Sequence, residues 1–367
     1  MVQGERLRAD TQVMLRTALV VCLLSVVALG STPGANASAR SWATPQIEVV
    51  VGAGLMAPSV GAFRPDDPLT SGELAVVLAS VTAAGVSTDD PDRLVTVREL
   101  NARLVTAAGL QPDARFLRQT ALLAGLSPTP WLGTETVARL LGLRINHPRE
   151  QEGLELQLSQ PVTRAEAAYS VARLLALRET DVRAVRVLVA TFTVPTLTEP
   201  QAAVLIRALA LVGAPYVWAG TSEKPQLLGG KIQPGGFDCS GFVWRVYKLQ
   251  RLAAAPAVAD ALRGRTSFAM SGEVAPSLRV ARAALQPADV VFFGSRGPRS
   301  KPAEVGHMGI YLGNGWIVHS SRFGTTLQPM VGWYDTTFAW GRNLFAEAGY
   351  VRQARSPAGS GTRSTSS

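Results

Sequence analysis

The stretch Gly306-His307-Met308-Gly309-Ile310-Tyr311-Leu312-Gly313-Asn314-Gly315-Trp316-Ile317-Val318-His319-Ser320 decides the fold. Two apolar-rich runs flank Gly313-Asn314-Gly315. Asn-Gly between such runs is the strongest short-range signal for a β-hairpin. With Asn314 at the tip, residue 312 pairs with 316, and 307 stands nearly opposite 321. His307 and His319 are then diagonal neighbours on one face of adjacent antiparallel strands, within side-chain reach.

Working outward, Ala288-Asp289-Val290-Val291-Phe292-Phe293-Gly294 reads as another strand, and a fourth is expected around Ala339 to Phe345. Upstream, Phe237-Asp238-Cys239-Ser240-Gly241-Phe242-Val243 opens a run of helical periodicity. Helices first and an antiparallel sheet after predict an α+β domain.

The chain has 367 residues, enough for two domains. Charged residues are 17% and hydrophobic residues 47%, so most of it should fold. The formal charge of +9 has no long basic run and no basic–aromatic interleaving. No nucleic-acid partner is expected. A polyanionic envelope or membrane surface suits the charge better, through long-range attraction.

Arg6, Arg8 and Arg16 precede the apolar run Ala18 to Gly30, and Ala35-Asn36-Ala37 offers a cleavage site before Ser38. This is the pattern of a secretory signal over 1–37, too short for a comfortable membrane span. No stable span is expected after cleavage. Cys22 would leave with the signal, so the exported chain would keep one thiol, Cys239, and form no internal disulfide. The expected location is secreted, at the cell wall or envelope.

Residues 45–180 are helical in pattern and carry an internal repeat. Pro68-Leu69-Thr70-Ser71-Gly72-Glu73 recurs as Pro161-Val162-Thr163-Arg164-Ala165-Glu166, with a weaker copy at Val95-Thr96-Val97-Arg98-Glu99. Each reads as a capping box, in which Thr caps a helix and Glu three residues on returns the bond. His147, in the polar string Asn146-His147-Pro148-Arg149, is expected at the surface. Thr191 to Pro200 reads as a linker spanning 190–200, Thr198 as the next helix cap, and 356–367 as a disordered tail.

Cys239, His307 and His319 admit two readings. They could form a metal site, since Cys and His bind zinc, or a Cys–His–His catalytic set. Catalysis is favoured, and no cofactor is expected. Cys239 sits at a helix N-terminus, where the dipole favours the thiolate. Gly235-Gly236 allow close backbone approach. No short-spaced ligand pair accompanies the cysteine.

These residues carry a resemblance. Residues 200–352 resemble NlpC-type cell-wall cysteine peptidases, a papain-like fold. The match runs through Ala214-Pro215-Tyr216-Val217-Trp218-Ala219-Gly220, Phe237-Asp238-Cys239-Ser240-Gly241-Phe242, Arg265-Thr266-Ser267, Leu285-Gln286-Pro287-Ala288-Asp289 and the two histidine strands. Ala219 and Ala288 stand where that family usually has glycine, and the 221–236 loop is longer than typical. The resemblance implies Cys239 as nucleophile, His307 as base and His319 as its orienter. It implies a peptidoglycan stem peptide as substrate, cut between γ-D-glutamate and the diamino acid. Tyr216, Asp238, Ser240 and Ser267 are the implied substrate contacts, with Asp238 equally readable as a helix N-cap. An amidase or acyltransferase on the same fold, or a non-catalytic wall-binding protein, are the alternatives. The strings Ala53 to Thr70 and Leu158 to Glu166 resemble halves of S-layer homology repeats, which implies either binding of an anionic secondary cell-wall polymer or a structural spacer.

Overall fold

Thr70, Thr96 and Thr163 each cap a helix. The N–H groups of Glu73, Glu99 and Glu166 donate to their hydroxyls at 3.3, 3.4 and 3.2 Å. Glu73 returns the bond to the Thr70 N–H at 3.0 Å. Glu99 instead binds Arg93, and Glu166 binds the His147 ring. The three helix starts are tied in a ring: Leu69 N–H donates to Val162, Val162 to Val95, and Val95 to Leu69, at 2.9, 2.8 and 3.0 Å. These closed bonds satisfy backbone groups of residues that are almost fully buried. The internal repeat is thus a three-membered structural unit.

A computed structural model describes residues 41–82 and 88–350. The expected signal and tail lie outside the described residues. In chain order, the N-terminal helices are α1 (Thr44–Gly52), α2 (Ser71–Thr82), α3 (Val97–Ala107), α4 (Gln111–Leu123), α5 (Leu132–Leu140), α6 (Arg164–Leu175), α7 (Glu179–Ala190) and α8 (Glu199–Ala210). A 3₁₀ turn, Arg149–Leu154, lies between α5 and α6. No helix among the described residues is long and apolar enough to cross a membrane.

The segment expected as a linker is packed, not free. Phe192 is buried edge-on against Trp316, 5.1 Å between centroids. Thr193 accepts a 2.8 Å bond from Asn314 at the hairpin tip. Burial of two large aromatic rings outweighs the freedom that the Thr- and Pro-rich composition suggested.

After α8, β1 (Thr221–Ser222) pairs with β4 (Gly236–Phe237), and β2 (Gln226–Leu228) with β3 (Lys231–Gln233). The long loop is therefore a two-tier hairpin. Helix α9 (Cys239–Tyr247) follows β4 directly. The main sheet comprises β5 (Val290–Gly294), β6 (Val305–Gly313), β7 (Trp316–Ser321), β8 (Gly324–Pro329) and β9 (Phe338–Arg342). Its order is β8-β7-β6-β5-β9, antiparallel throughout. The expected register holds: Ile310 faces Val318 and Tyr311 faces Ile317, and a bulge brings Gly313 onto Trp316 at the turn. The fourth expected strand is β9, which ends at Arg342 and gives way to a short helix, Leu344–Glu347.

Phe242, Val243 and Val246 of α9 share one core with Met308, Ile310 and Val318 of the sheet, and that core runs on into the N-terminal helices. A cysteine-bearing helix packed on an antiparallel sheet that carries two histidines is the α+β arrangement the resemblance implied.

Candidate active site

Cys239 is the first residue of α9, with Asp238 as its N-cap. The Asp238 carboxylate accepts the Gly241 N–H and, at 2.9 Å, the Ser240 hydroxyl. Gly241 is required here, since a Cβ would lie 1.8 Å from the Gly220 carbonyl oxygen. The cysteine sulfur faces the N–H groups of Ser240 and Met308. Met308 follows His307, so the start of α9 sits on the strand that carries the first histidine.

His307 and His319 meet across the β6–β7 pair, His307 Nε2 to His319 Nδ1 at 2.8 Å. Gly309 makes the room: a Cβ there would lie 2.9 Å from the His319 Cβ. His319 is fully buried. Burial pushes His307 down to about 4, and burial plus the neighbouring His307 push His319 well below the ordinary range. Both rings are neutral at neutral pH. With His307 donating from Nε2 to His319, its Nδ1 lone pair is left available as a base. Tyr334 packs against both rings, at 6.1 and 5.0 Å between centroids, and the half-exposed Trp333 lies 6.0 Å from His307.

The thiol departs from expectation. Burial first, then the Asp238 carboxylate, push Cys239 up to about 12, against the pull of the two N–H groups. The helix end therefore does not yield a resting thiolate: desolvation and an adjacent anion outweigh it.

The other expected contacts are placed as follows. Tyr216, partly buried, stands on the turn bridged to Phe237, and its phenol lies in the field of Cys239 and Asp238. Asp238 is both N-cap and ion-pair partner of Arg265, at 3.3 Å. Arg265 also donates to the Ser240 hydroxyl at 2.7 Å and to the Ala219 carbonyl at 3.0 Å. The motif string contained Arg265 but gave no sign of this role. Ser267 donates its hydroxyl to the Val305 carbonyl at 3.1 Å and is nearly buried, so it ties a helix to β6. Thr266 caps that helix.

His147 is a correction. It is buried, 2.7 Å from Glu166 and edge-on to Trp42 at 4.6 Å. The polar string around it turns inward because Glu166 and Glu155 accept its ring and backbone donors. Two further residues of that region reach the site unannounced by any local signal. Asn146 bonds Tyr216, and Glu152 accepts the Trp218 N–H at 2.8 Å. Arg164, which follows the capping Thr163, is buried with donors on Phe63, Met56 and Glu73, and is spent on structure.

Residues 213–342 match the model of the NlpC/P60 family. A Mycobacterium tuberculosis protein named "Probable endopeptidase" is 37% identical over 128 residues, 35% of this chain and 25% of that one. "Probable peptidoglycan endopeptidase LytE" of Bacillus subtilis is 34% identical over 128 residues, 34% of this chain and 28% of that one. "Gamma-D-glutamyl-L-lysine dipeptidyl-peptidase" of Bacillus cereus is 31% identical over 111 residues, 30% and 26%. The matches cover only about a quarter of the length of each of these relatives.

Proposed function

We propose that this chain is an exported cysteine endopeptidase of peptidoglycan stem peptides, cutting between γ-D-glutamate and the diamino acid. The observation that carries the reading is the 2.8 Å His307–His319 contact beside a helix-initial cysteine whose sulfur faces the Met308 N–H. The family match over 213–342 and the printed names of the relatives support the peptidoglycan substrate, and one of those names states a γ-D-glutamyl bond.

In this mechanism His307 Nδ1 takes the thiol proton as sulfur attacks the amide carbonyl. The Cys239 N–H, at the helix start and without an intrahelical acceptor, faces the developing oxyanion. His307 then gives its proton to the leaving amine, and water resolves the thioester. His319 holds the tautomer, as the third member of a triad does. Asp238 and Ser240 would receive the substrate's free amine, and the Tyr216 hydroxyl would add to the oxyanion contact. Arg265 claims part of the Asp238 charge, and Glu152 adds a second carboxylate beside the Trp218 turn. Anchoring to an anionic wall polymer belongs to the same proposal, and it needs cations other than Arg164.

The test is incubation of the full chain with L-Ala-γ-D-Glu-diaminopimelate peptides, read by mass spectrometry, with Cys239→Ala as control. Release of L-Ala-D-Glu by the native chain alone supports the reading. Release of sugar-free intact stem peptide from whole peptidoglycan, or peptide joined to a new amine, would replace it with amidase or acyltransfer chemistry. No reaction on either substrate would leave a binding role.

A further inference from the structure

The helical region holds the cysteine's surroundings by direct bonds. Asn146 pairs with both backbone groups of Tyr216: its Oδ1 accepts the Tyr216 N–H at 2.8 Å, and its Nδ2 donates to the Tyr216 carbonyl at 3.3 Å. Gln157 donates to the Gly235 carbonyl at 2.5 Å, and the Arg149 guanidinium lies 4.9 Å over the Trp218 ring. The bonded partners of Asn146, Glu152 and Gln157 are 66 to 78 residues away along the chain.

All these bonds end on one pedestal. The Tyr216 turn is bridged to Phe237, with Val217 N–H on the Phe237 carbonyl at 3.2 Å and Phe237 N–H on the Pro215 carbonyl at 3.1 Å. Phe237 leads through Asp238 into Cys239. Asn146 in turn is mounted on a buried polar cluster, because the next residue, His147, is held by Glu155 and Glu166. An amide side chain that satisfies both backbone groups of one residue does the work of a missing strand partner.

We infer that Asn146 is a positioning residue of the cysteine site: by clamping the Tyr216 backbone it sets the phenol against Cys239, and it makes the helical region a working part of the catalytic centre. The inference rests on the reading of Cys239 as nucleophile. It gives the inward-turned 146–157 segment a purpose that burial alone does not require.

The test is a double-mutant cycle in the full chain with Asn146→Ala and Tyr216→Phe, measured on the stem peptide. Asn146→Ala should lower kcat by about 10-fold or more with KM within about twofold, the signature of an interaction made in the transition state. In the Tyr216→Phe background the same change should cost less than about twofold. An equal cost in both backgrounds, or an unchanged kcat, overturns the inference. Alkylation of Cys239 by iodoacetamide is read on the same proteins and needs no substrate. If no stem peptide is cut, the functional reading fails separately. A rate altered about threefold or more by Asn146→Ala then still supports the clamp, and an unaltered rate overturns it.

Discussion

His307 Nε2 and His319 Nδ1 lie 2.8 Å apart on adjacent strands, in a space left by Gly309. In the proposed mechanism a base working from Nδ1 carries its own proton on Nε2, and His319 Nδ1 would be the acceptor that keeps it there. His319→Ala should lower kcat about 10²- to 10³-fold, while His319→Asn, whose Oδ1 falls near the lost Nδ1, should stay within about 10-fold. Equal losses in the two variants would contradict the tautomer role. The readout is steady-state kinetics at neutral pH.

Gly309→Ala tests the same relationship from the opposite strand. Its new Cβ would meet the His319 Cβ at 2.9 Å and the Val318 carbonyl oxygen at 3.0 Å. Overpacking of this kind costs about 1–3 kcal/mol. Thermal unfolding should show the loss, and activity should fall further than the folded fraction because His319 is displaced.

The pH behaviour follows from two opposite shifts. His307 is held at about 4, so it stays neutral and basic above about pH 5. Cys239 is held at about 12, so the thiol remains protonated at neutral pH. The kcat/KM profile should therefore have its acid limb near pH 4 and a flat top through neutrality. Iodoacetamide alkylation of the free protein should keep rising with pH beyond 9. A resting thiolate–imidazolium pair would instead give alkylation already at its plateau in mild acid.

Ala219 and Ala288 adopt φ of +62° and +68°, a left-handed conformation that costs an L-residue about 1–2 kcal/mol. Ala219 is exposed, so Ala219→Gly gives up little packing. It should raise stability by about 1 kcal/mol and Tm by a few degrees. An unchanged or lowered Tm would show that the strain is already relieved by the Arg265 bond to the Ala219 carbonyl.

Local signals located most of the site. Asn314-Gly315 set the hairpin register that brings the two histidines together, and the apolar period after Cys239 set the helix. Strand β8 was not legible, because Gly324-Thr325-Thr326-Leu327 lacks apolar alternation. Thr325 and Thr326 are buried beside β7, and Gly213 and Ala214 at the end of the α8 segment pair with Thr325. His147 misled, and the role of its neighbour Asn146 stayed hidden, for a related reason. A polar string reads as solvated, whereas here Glu166 and the Tyr216 backbone, distant in sequence, satisfy it. The thiol's shift was hidden too: Asp238 announced a helix cap, but not an anion beside a partly buried sulfur.

The most direct measurement is mass spectrometry, intact and after digestion, of the full chain mixed briefly with L-Ala-γ-D-Glu-diaminopimelate. The expected result is a transient adduct of one L-Ala-D-Glu acyl group on the peptide containing Cys239, absent in Cys239→Ala together with all cleavage. Cleavage that persists in Cys239→Ala, with no adduct on the native chain, would contradict a thiol mechanism at this site.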